Sequence, residues 1–380
     1  MGNSIEWIGK VPNGWSLNRI QNCIQEVKIK NNPIQTTQVL SLVKDKGILL
    51  YENKGNQGNK AKEDVSEYKL AYPNTMIVNS MNILIGAVGI SDYFGCVSPV
   101  YYVFKEREVY MTEAKYDRLA AVLKKKKNII LQGAPGVGKT FAAKRLAYSV
   151  MGEKDDDRIE FVQFHQNYSY EDFMMGYKPV ENGFELKYGI FYRFCKKAAN
   201  HPDKDYFFII DEINRGNTSK IFGELLMLIE ADYRDKKATL AYNGLSFSVP
   251  KRLHIIGMMN TADRSLAMID YALRRRFSFF DMEPGFDSEG FINYQNSFAN
   301  ETFNTLIERI KELNKEIAQD RALGKGFCIG HSYFCNVNDC AEEWMKDVVD
   351  FDILPMLSEY WFDESSKLQR WENILHGVFQ

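Results

Sequence analysis

The chain has 380 residues, 45% hydrophobic and 26% charged, which is too long for one small domain and ordinary for a folded globular protein. That composition excludes a mainly disordered chain, a collagen-like chain and a simple coiled coil. The 48 Lys and Arg against 50 Asp and Glu leave a formal charge of −2, so bulk charge points to neither nucleic acid nor membrane.

The N-terminal MGNSIEWIGK lacks the apolar core of a signal peptide, and no run reaches the length of a membrane span. A soluble cytoplasmic protein with no membrane partner is expected. Six cysteines (23, 96, 195, 328, 335 and 340) without a C-x-x-C pair predict reduced thiols, and the five histidines show no metal-ligand spacing. Residues 1–108 hold 12 Lys and Arg against 10 Asp and Glu. Within 28–62, seven lysines accompany Asp45 and Glu52, and 53–59 is rich in Gly and Asn. That stretch predicts a mobile basic loop. Residues 109–127 predict a helix leading into a new domain. From 128 onward, short apolar runs at 128–133, 159–165, 206–212, 253–260 and 276–282 alternate with helical patterns. Continuous apolar strands are expected where both faces of a parallel sheet are covered, so the reading is an α/β layered domain. Residues 238–249 alternate around Asn243-Gly244, which predicts a hairpin. After about residue 285 the pattern is helical, at 303–318, 352–362 and 367–379. The expected division is 1–108, 109–284 and 285–380.

Gly133, Ala134, Pro135, Gly136, Val137, Gly138, Lys139 and Thr140 complete G-x-x-x-x-G-K-[ST] between an apolar strand and a helix. In that context the glycines turn backbone N–H groups toward phosphates, and the helix N-terminus adds positive potential. Lys139 would neutralise the β- and γ-phosphates, and Thr140 would ligate Mg²⁺. Seventy-one residues after Thr140, the strand 206–210 ends in Asp211 and Glu212. Asp211 is expected in the Mg²⁺ shell, and Glu212 as the base that polarises the attacking water. Asn260 falls at the tip of the strand 253–260, where it would sit beside the γ-phosphate and water; taken alone, it reads as an Asn/Asp turn after a strand, and that reading would win. Arg274, Arg275 and Arg276 precede the last strand and read either as a basic helix C-terminus or as arginine fingers toward a neighbouring subunit's nucleotide. Phosphate loop, Asp-Glu strand, polar strand tip, arginines and helical tail follow the order of an AAA+ ring module. The expected fold is therefore α/β, with a parallel five-stranded sheet, helices on both faces, a C-terminal helical lid and a small α+β domain in front.

The strings Gln163 to Phe173, Asp211-Glu-Ile-Asn-Arg-Gly216, Met259-Asn-Thr-Ala-Asp-Arg-Ser265, Asp270 to Phe277, Gly326 to Phe334 and Ile353 to Phe362 resemble the McrB family. The resemblance spans about residues 109–380. It implies the motor subunit of a modification-dependent restriction system, hydrolysing GTP with Mg²⁺ in a homohexameric ring, acting on DNA with a separate McrC-like nuclease. It also implies that Asn260 and Asp263 organise the hydrolytic water, and that Arg275 or Arg276 acts across the subunit boundary. No residue spacing distinguishes guanine from adenine, so ATP stays open. No nuclease constellation is visible outside the nucleotide site.

Residues Trp7 to Trp15, Asn79 to Ser91 and Ser98 to Phe104 resemble a target-recognition domain from type I restriction specificity subunits. That resemblance implies a DNA reader. Lys44, Lys46, Lys54, Lys60 and Lys62 could meet phosphates, and Asn56, Gln57, Asn79 and Asn82 could read base edges. The opposing reading has Asn79 and Asn82 capping turns in a compact domain. The alternative for the whole chain is a MoxR-type AAA+ ATPase that remodels a protein partner.

Overall fold

The computed structural model describes residues 24–27, 29–43, 46–54, 64–73, 75–81, 87–106, 110–181, 183–263, 270–335 and 340–380. Of the calls above, Lys44, Asn56, Gln57, Lys60, Lys62 and Asn82, and Arg264 and Ser265 of the family string, lie outside the described residues. The chain forms two compact units, one on Asn18–Glu108 and one on Val109–Asn336 with Cys340–Gln380.

In the first unit, β1 (Ile24–Glu26), β5 (Met76–Asn79), β6 (Val88–Ile90) and β8 (Tyr101–Glu106) form an antiparallel sheet in the order β1-β8-β5-β6. Separate antiparallel pairs join β2 (Leu40–Val43) to β3 (Gly47–Leu50) and β4 (Lys69–Ala71) to β7 (Gly95–Val97). Ile77 and Val103 face each other across β5 and β8 and are both fully buried. They pack with Leu40, Ile48 and Val97. The helical content among the described residues is one 3-10 turn at Tyr51–Asn53. The hairpin β2–β3 corrects the expectation of a mobile loop through 28–62. Leu40, Val43 and Ile48 are buried there, and apolar alternation outweighs the lysine count. Gly47 takes φ +78° at the turn, a conformation a side chain would strain.

The second unit is built on five parallel strands: β9 (Asn128–Gly133), β10 (Ile159–Gln163), β13 (Tyr206–Asp211), β16 (Leu253–Asn260) and β17 (Ser278–Met282). Their spatial order is β10-β13-β16-β9-β17. Successive side chains of a strand point to opposite faces. On one face Phe208 meets Phe191 of α4 (Ile190–Ala199), edge to face with ring centres 4.9 Å apart, and Phe173 stacks on Phe191 at 4.6 Å. On the other, α2 (Lys139–Met151) contacts β9, β13 and β16 and buries Ala142, Ala143, Leu146 and Ala147. Helix α1 (Glu113–Lys126) packs on β9 and β17, after Tyr110.

Between β10 and β13 the chain inserts α3 (Tyr170–Phe173) and a hairpin of β11 (Met175–Val180) and β12 (Gly183–Tyr188), which the sequence reading did not anticipate. After α5 (Thr218–Phe222) and α6 (Leu225–Leu228), a second hairpin pairs β14 (Ala238–Thr239) with β15 (Ser246–Phe247). Its strands are shorter than the alternation over 238–249 suggested. Leu240 N donates to Leu245 O at 2.9 Å, so four residues turn, with Gly244 at φ +66°.

After α7 (Tyr271–Arg274) and β17, the helical region holds α8 (Glu289–Asn296), α9 (Glu301–Gln319), α10 (Glu342–Asp347), α11 (Leu354–Tyr360) and α12 (Ser365–His376). Helix α9 starts at Asn300, whose side chain accepts from Phe303 N. It buries Phe303, Leu306, Ile307, Ile310, Leu313 and Ile317, the three-and-four spacing of one apolar face. Trp361 is buried with its indole N–H donating to Asp320 at 3.1 Å, and Lys367 lies 2.6 Å from the same carboxylate. The fold is an α/β AAA+ module with a C-terminal helical lid. No helix among the described residues is long and apolar enough to cross a membrane.

Candidate nucleotide site

Sheet order decides what surrounds the phosphate loop. Strand β9 lies between β16 and β17, so Gly133 sits in register with Asn260 on one side and Met282 on the other. A Cβ on Gly133 would fall 2.3 Å from the Met282 carbonyl oxygen. Only glycine permits that approach. Thr261 N donates to Gly133 O at 3.1 Å, which ties the β16 tip to the start of the loop. Gly136 and Gly138 adopt φ +73° and +75° and turn the chain into α2. Ligands of parallel α/β sheets bind outside the carboxyl ends of the strands, which is where these residues converge.

Lys139 is nearly buried, and its Nζ donates to Gly133 O at 3.0 Å and Ala134 O at 2.8 Å. Burial brings its ammonium down to about 8, while the Glu212, Asp211 and Asp263 carboxylates act the other way. A buried ammonium held by main-chain carbonyls has strong reason to take an anionic partner. Thr140 stands exposed in the first turn of α2. Its hydroxyl and the Asp211 carboxylate are hard oxygen donors of the kind Mg²⁺ takes. The residues present therefore fit a nucleotide phosphate and its Mg²⁺.

Asp211 ends β13, and its Oδ1 accepts from Glu212 N at 3.0 Å. Glu212 itself has φ +50°, a strained value for a residue with a side chain. The turn buries its carboxylate. Oε1 accepts from Asn260 Nδ2 at 2.7 Å, and Oε2 lies 3.3 Å from Arg215 Nε without hydrogen-bond geometry. Arg215 also donates to Asp263 at 3.1 Å. Glu212, Asn260 and Asp263 are thus joined through three contacts, two of them made by Arg215, a member that sequence reasoning missed. It stood in the quoted Asp-Glu-Ile-Asn-Arg string, but the string carried no sign of the partner 48 residues away. Asn214 is also buried, and its Oδ1 has no partner among the described residues.

The three arginines separate by environment. Arg276 is nearly buried, its Nε 2.9 Å from Glu230 and its Nη1 donating to Ala272 O. Arg274 lies over the Phe279 ring at 5.6 Å. The Arg275 side chain is 65% exposed, with Glu230 only at 3.9 Å. In the lid, residues 326–334 form a loop with two 3-10 turns that lies against the site. Thr261 Oγ1 donates to Gly326 O at 3.1 Å, and Ser332 N donates to Gly136 O at 2.9 Å. A Cβ on Gly330 would sit 2.0 Å from the Gly136 carbonyl carbon.

Of the N-terminal candidates, Lys46, Lys54 and Asn79 fall among the described residues. Asn79 is nearly buried at the end of β5, and its Oδ1 accepts from Met81 N at 3.0 Å, closing a turn. Lys54 folds its ammonium over the Tyr51 ring at 3.9 Å.

Comparison with known proteins agrees with this geometry. Residues 128–277 match the AAA domain (dynein-related subfamily), and residues 305–369 match the McrB alpha-helical lid domain. The chain is 51% identical over 282 residues to the type IV methyl-directed restriction enzyme EcoKMcrB subunit of Escherichia coli K12, an alignment covering 71% of this chain and 61% of that protein. It is 29% identical over 199 residues to the type II restriction enzyme BsuMI component YdiS of Bacillus subtilis, covering 41% of this chain and 57% of that one. The chain therefore spans less than two thirds of each of these relatives. The lid match does not favour the MoxR-type alternative. With a phosphate loop, an Asp-Glu strand end and an Asn strand tip brought together under a lid of the McrB type, the chain belongs to the McrB family.

Proposed function

We propose that this chain is the nucleotide-hydrolysing motor and DNA-recognition subunit of a McrBC-like restriction system. The observation that carries the reading is the Glu212–Asn260 contact at the rim of the phosphate loop. A carboxylate oriented by an amide, on the γ-phosphate side of a P-loop, suits proton abstraction from water more than it suits a structural turn. Bound Mg²⁺ would supply charge neutralisation on the phosphates, with Thr140 and Asp211 as its protein donors. Lys139 neutralises the β- and γ-phosphates, and the loop amides from Gly136 to Thr140 orient them. Glu212 takes the proton of the attacking water, and Asn260 holds that carboxylate in place. Arg215 and Asp263 brace its other edge.

Catalysis across a subunit boundary needs an arginine free to leave its own chain. Arg274 and Arg275 are both exposed, but Arg274 lies over the Phe279 ring, so Arg275 is proposed as the trans-acting residue in a homohexameric ring, with Arg276 bracing α7 from within. GTP is preferred to ATP on family grounds. DNA recognition is assigned to the N-terminal β unit, and cutting to a separate McrC-like nuclease, since the proposed roles here include no nuclease centre.

The test is hydrolysis of GTP and ATP side by side, at equal concentration, on the purified chain with its nuclease partner. A clear GTP preference supports the motor reading. A clear ATP preference leaves the fold intact and removes the family-based substrate.

A further inference from the structure

His331 stands where the lid loop meets the phosphate loop, and no role proposed above uses it. Its imidazole is nearly buried, walled by Tyr110, Phe286 and Phe291 at ring-centre distances of 5.2, 6.3 and 6.2 Å. Gly285 N donates to Nδ1 at 2.8 Å. That bond fixes the tautomer. With Nδ1 accepting, a neutral ring carries its single proton on Nε2. Burial keeps the ring neutral by holding its pKa down to about 4. Nε2 lies 3.5 Å from the point where a Cβ on Gly138 would be. Among the described residues this N–H has no hydrogen-bond acceptor of its own.

We propose that His331 is a nucleotide-contacting residue of the lid, its Nε2–H donating to the bound nucleotide where it passes Gly138. The inference rests on the nucleotide-hydrolysis reading and deepens it. The loop that carries His331 is anchored at both ends of the site, to Thr261 beside Asn260 and to Gly136. A donor delivered from that loop makes nucleotide binding depend on the lid being seated. The neighbouring glycines explain the fit. Gly330 admits the Gly136 backbone, and Gly136 admits Tyr333, whose ring would lie 2.5 Å from any Cβ there.

Two amide side chains separate this role from a packing role. Gln can place an N–H near the Nε2 position, whereas Asn can place an acceptor near Nδ1 and leaves no donor beyond it. Binding of GTPγS, with ATPγS in parallel, is measured by calorimetry on the full chain and on H331Q, H331N and H331A. The expected result is about ten-fold weaker binding in H331N and H331A, the value of one good hydrogen bond, and affinity within about three-fold of wild type in H331Q. Retention in H331N with loss in H331Q would show that only the Gly285 contact matters and would overturn the proposal. Should the variants fail to fold, ring ¹⁵N spectra of the wild-type chain decide. An Nε2–H resonance that shifts with GTPγS or ATPγS supports the contact, and one that is unmoved at saturation overturns it. A wild-type chain that binds neither nucleotide would sink the hydrolysis reading itself, a result distinct from indifference at His331.

Discussion

The two units differ in how they treat buried polar groups. In the N-terminal β unit, Asn31 is fully buried and fully used: its Nδ2 donates to Thr36 O and Val65 O, and its Oδ1 accepts from Gln35 N and Thr36 N. Ser91 is used in the same way, by Tyr93. In the AAA+ unit, Lys139, Glu212 and Asn214 are buried yet incompletely matched: Glu212 Oε2 and Asn214 Oδ1 lack hydrogen bonds, and Lys139 keeps its charge among main-chain carbonyls. Buried polar groups are ordinarily satisfied, because an unmade hydrogen bond costs the desolvation of the group. A satisfied buried amide holds a loop. A cluster of unsatisfied ones around a strained Glu212 is what the proposed catalytic role leaves in place. Unmatched atoms on Arg234 and His254 show that the criterion needs the cluster, since each of those stands apart from the phosphate loop.

The largest effect that would break this contrast is at the arginines. Arg275→Ala should lower the hydrolysis rate of the assembled ring by about 10³-fold or more, while Arg276→Ala should lower the thermal midpoint first. Steady-state rates together with melting curves check both, and the opposite pattern would exchange their roles. Next, Glu212→Gln should cut hydrolysis by about 10²–10⁴-fold with nucleotide binding retained. Unchanged turnover would remove Glu212 as the base and leave its φ as a purely structural oddity.

Asn31→Ala tests the other side of the comparison. It leaves two main-chain carbonyls and two N–H groups without their partner, so the β unit should lose about 2–3 kcal/mol in denaturant unfolding, with nucleotide turnover unaffected. A change in turnover would mean that the two units are coupled through Asn31.

The smallest effect is in the lid. Lys367, with the Ala322 and Trp361 N–H groups, holds the Asp320 carboxylate down to about 2. A depressed carboxylate stabilises the fold above its unfolded pKa of about 4, and that stabilisation fades as pH falls toward the folded value. Asp320→Asn should therefore melt below wild type at pH 7, and the gap should narrow between pH 4 and lower values. A gap independent of pH would assign the loss to packing around Trp361.

Much of this was legible in the chain order. The five apolar runs became the five parallel strands: the central β9, β13 and β16 are buried on both faces and need little besides β-branched, aromatic and aliphatic residues in series, while the edge strands β10 and β17 are only partly buried. The phosphate loop was legible because its glycines act within eight residues. The β11–β12 hairpin was not, since 175–188 mixes exposed Tyr177 and Phe184 with charges and shows no clean alternation. Lysines hid the β2–β3 hairpin for a related reason: composition was weighed over a window longer than either strand.

The sequence by itself determined the local pieces: strand ends that deliver Gly133, Asp211 and Asn260, a loop that must turn at Gly136 and Gly138, and an apolar face on α9. Those features depend on side-chain period and backbone sterics over a few residues. Only the tertiary structure decided which pieces meet. The order β10-β13-β16-β9-β17 brings Asn260 beside Gly133 and within reach of Glu212. Packing decided that the Arg276 side chain is nearly buried while that of Arg275 is exposed, although the two are adjacent in the chain. It also seated His331 against Gly138 and Gly285. Contacts between residues 48 or more apart follow from sheet order and core packing, and no local pattern encodes them.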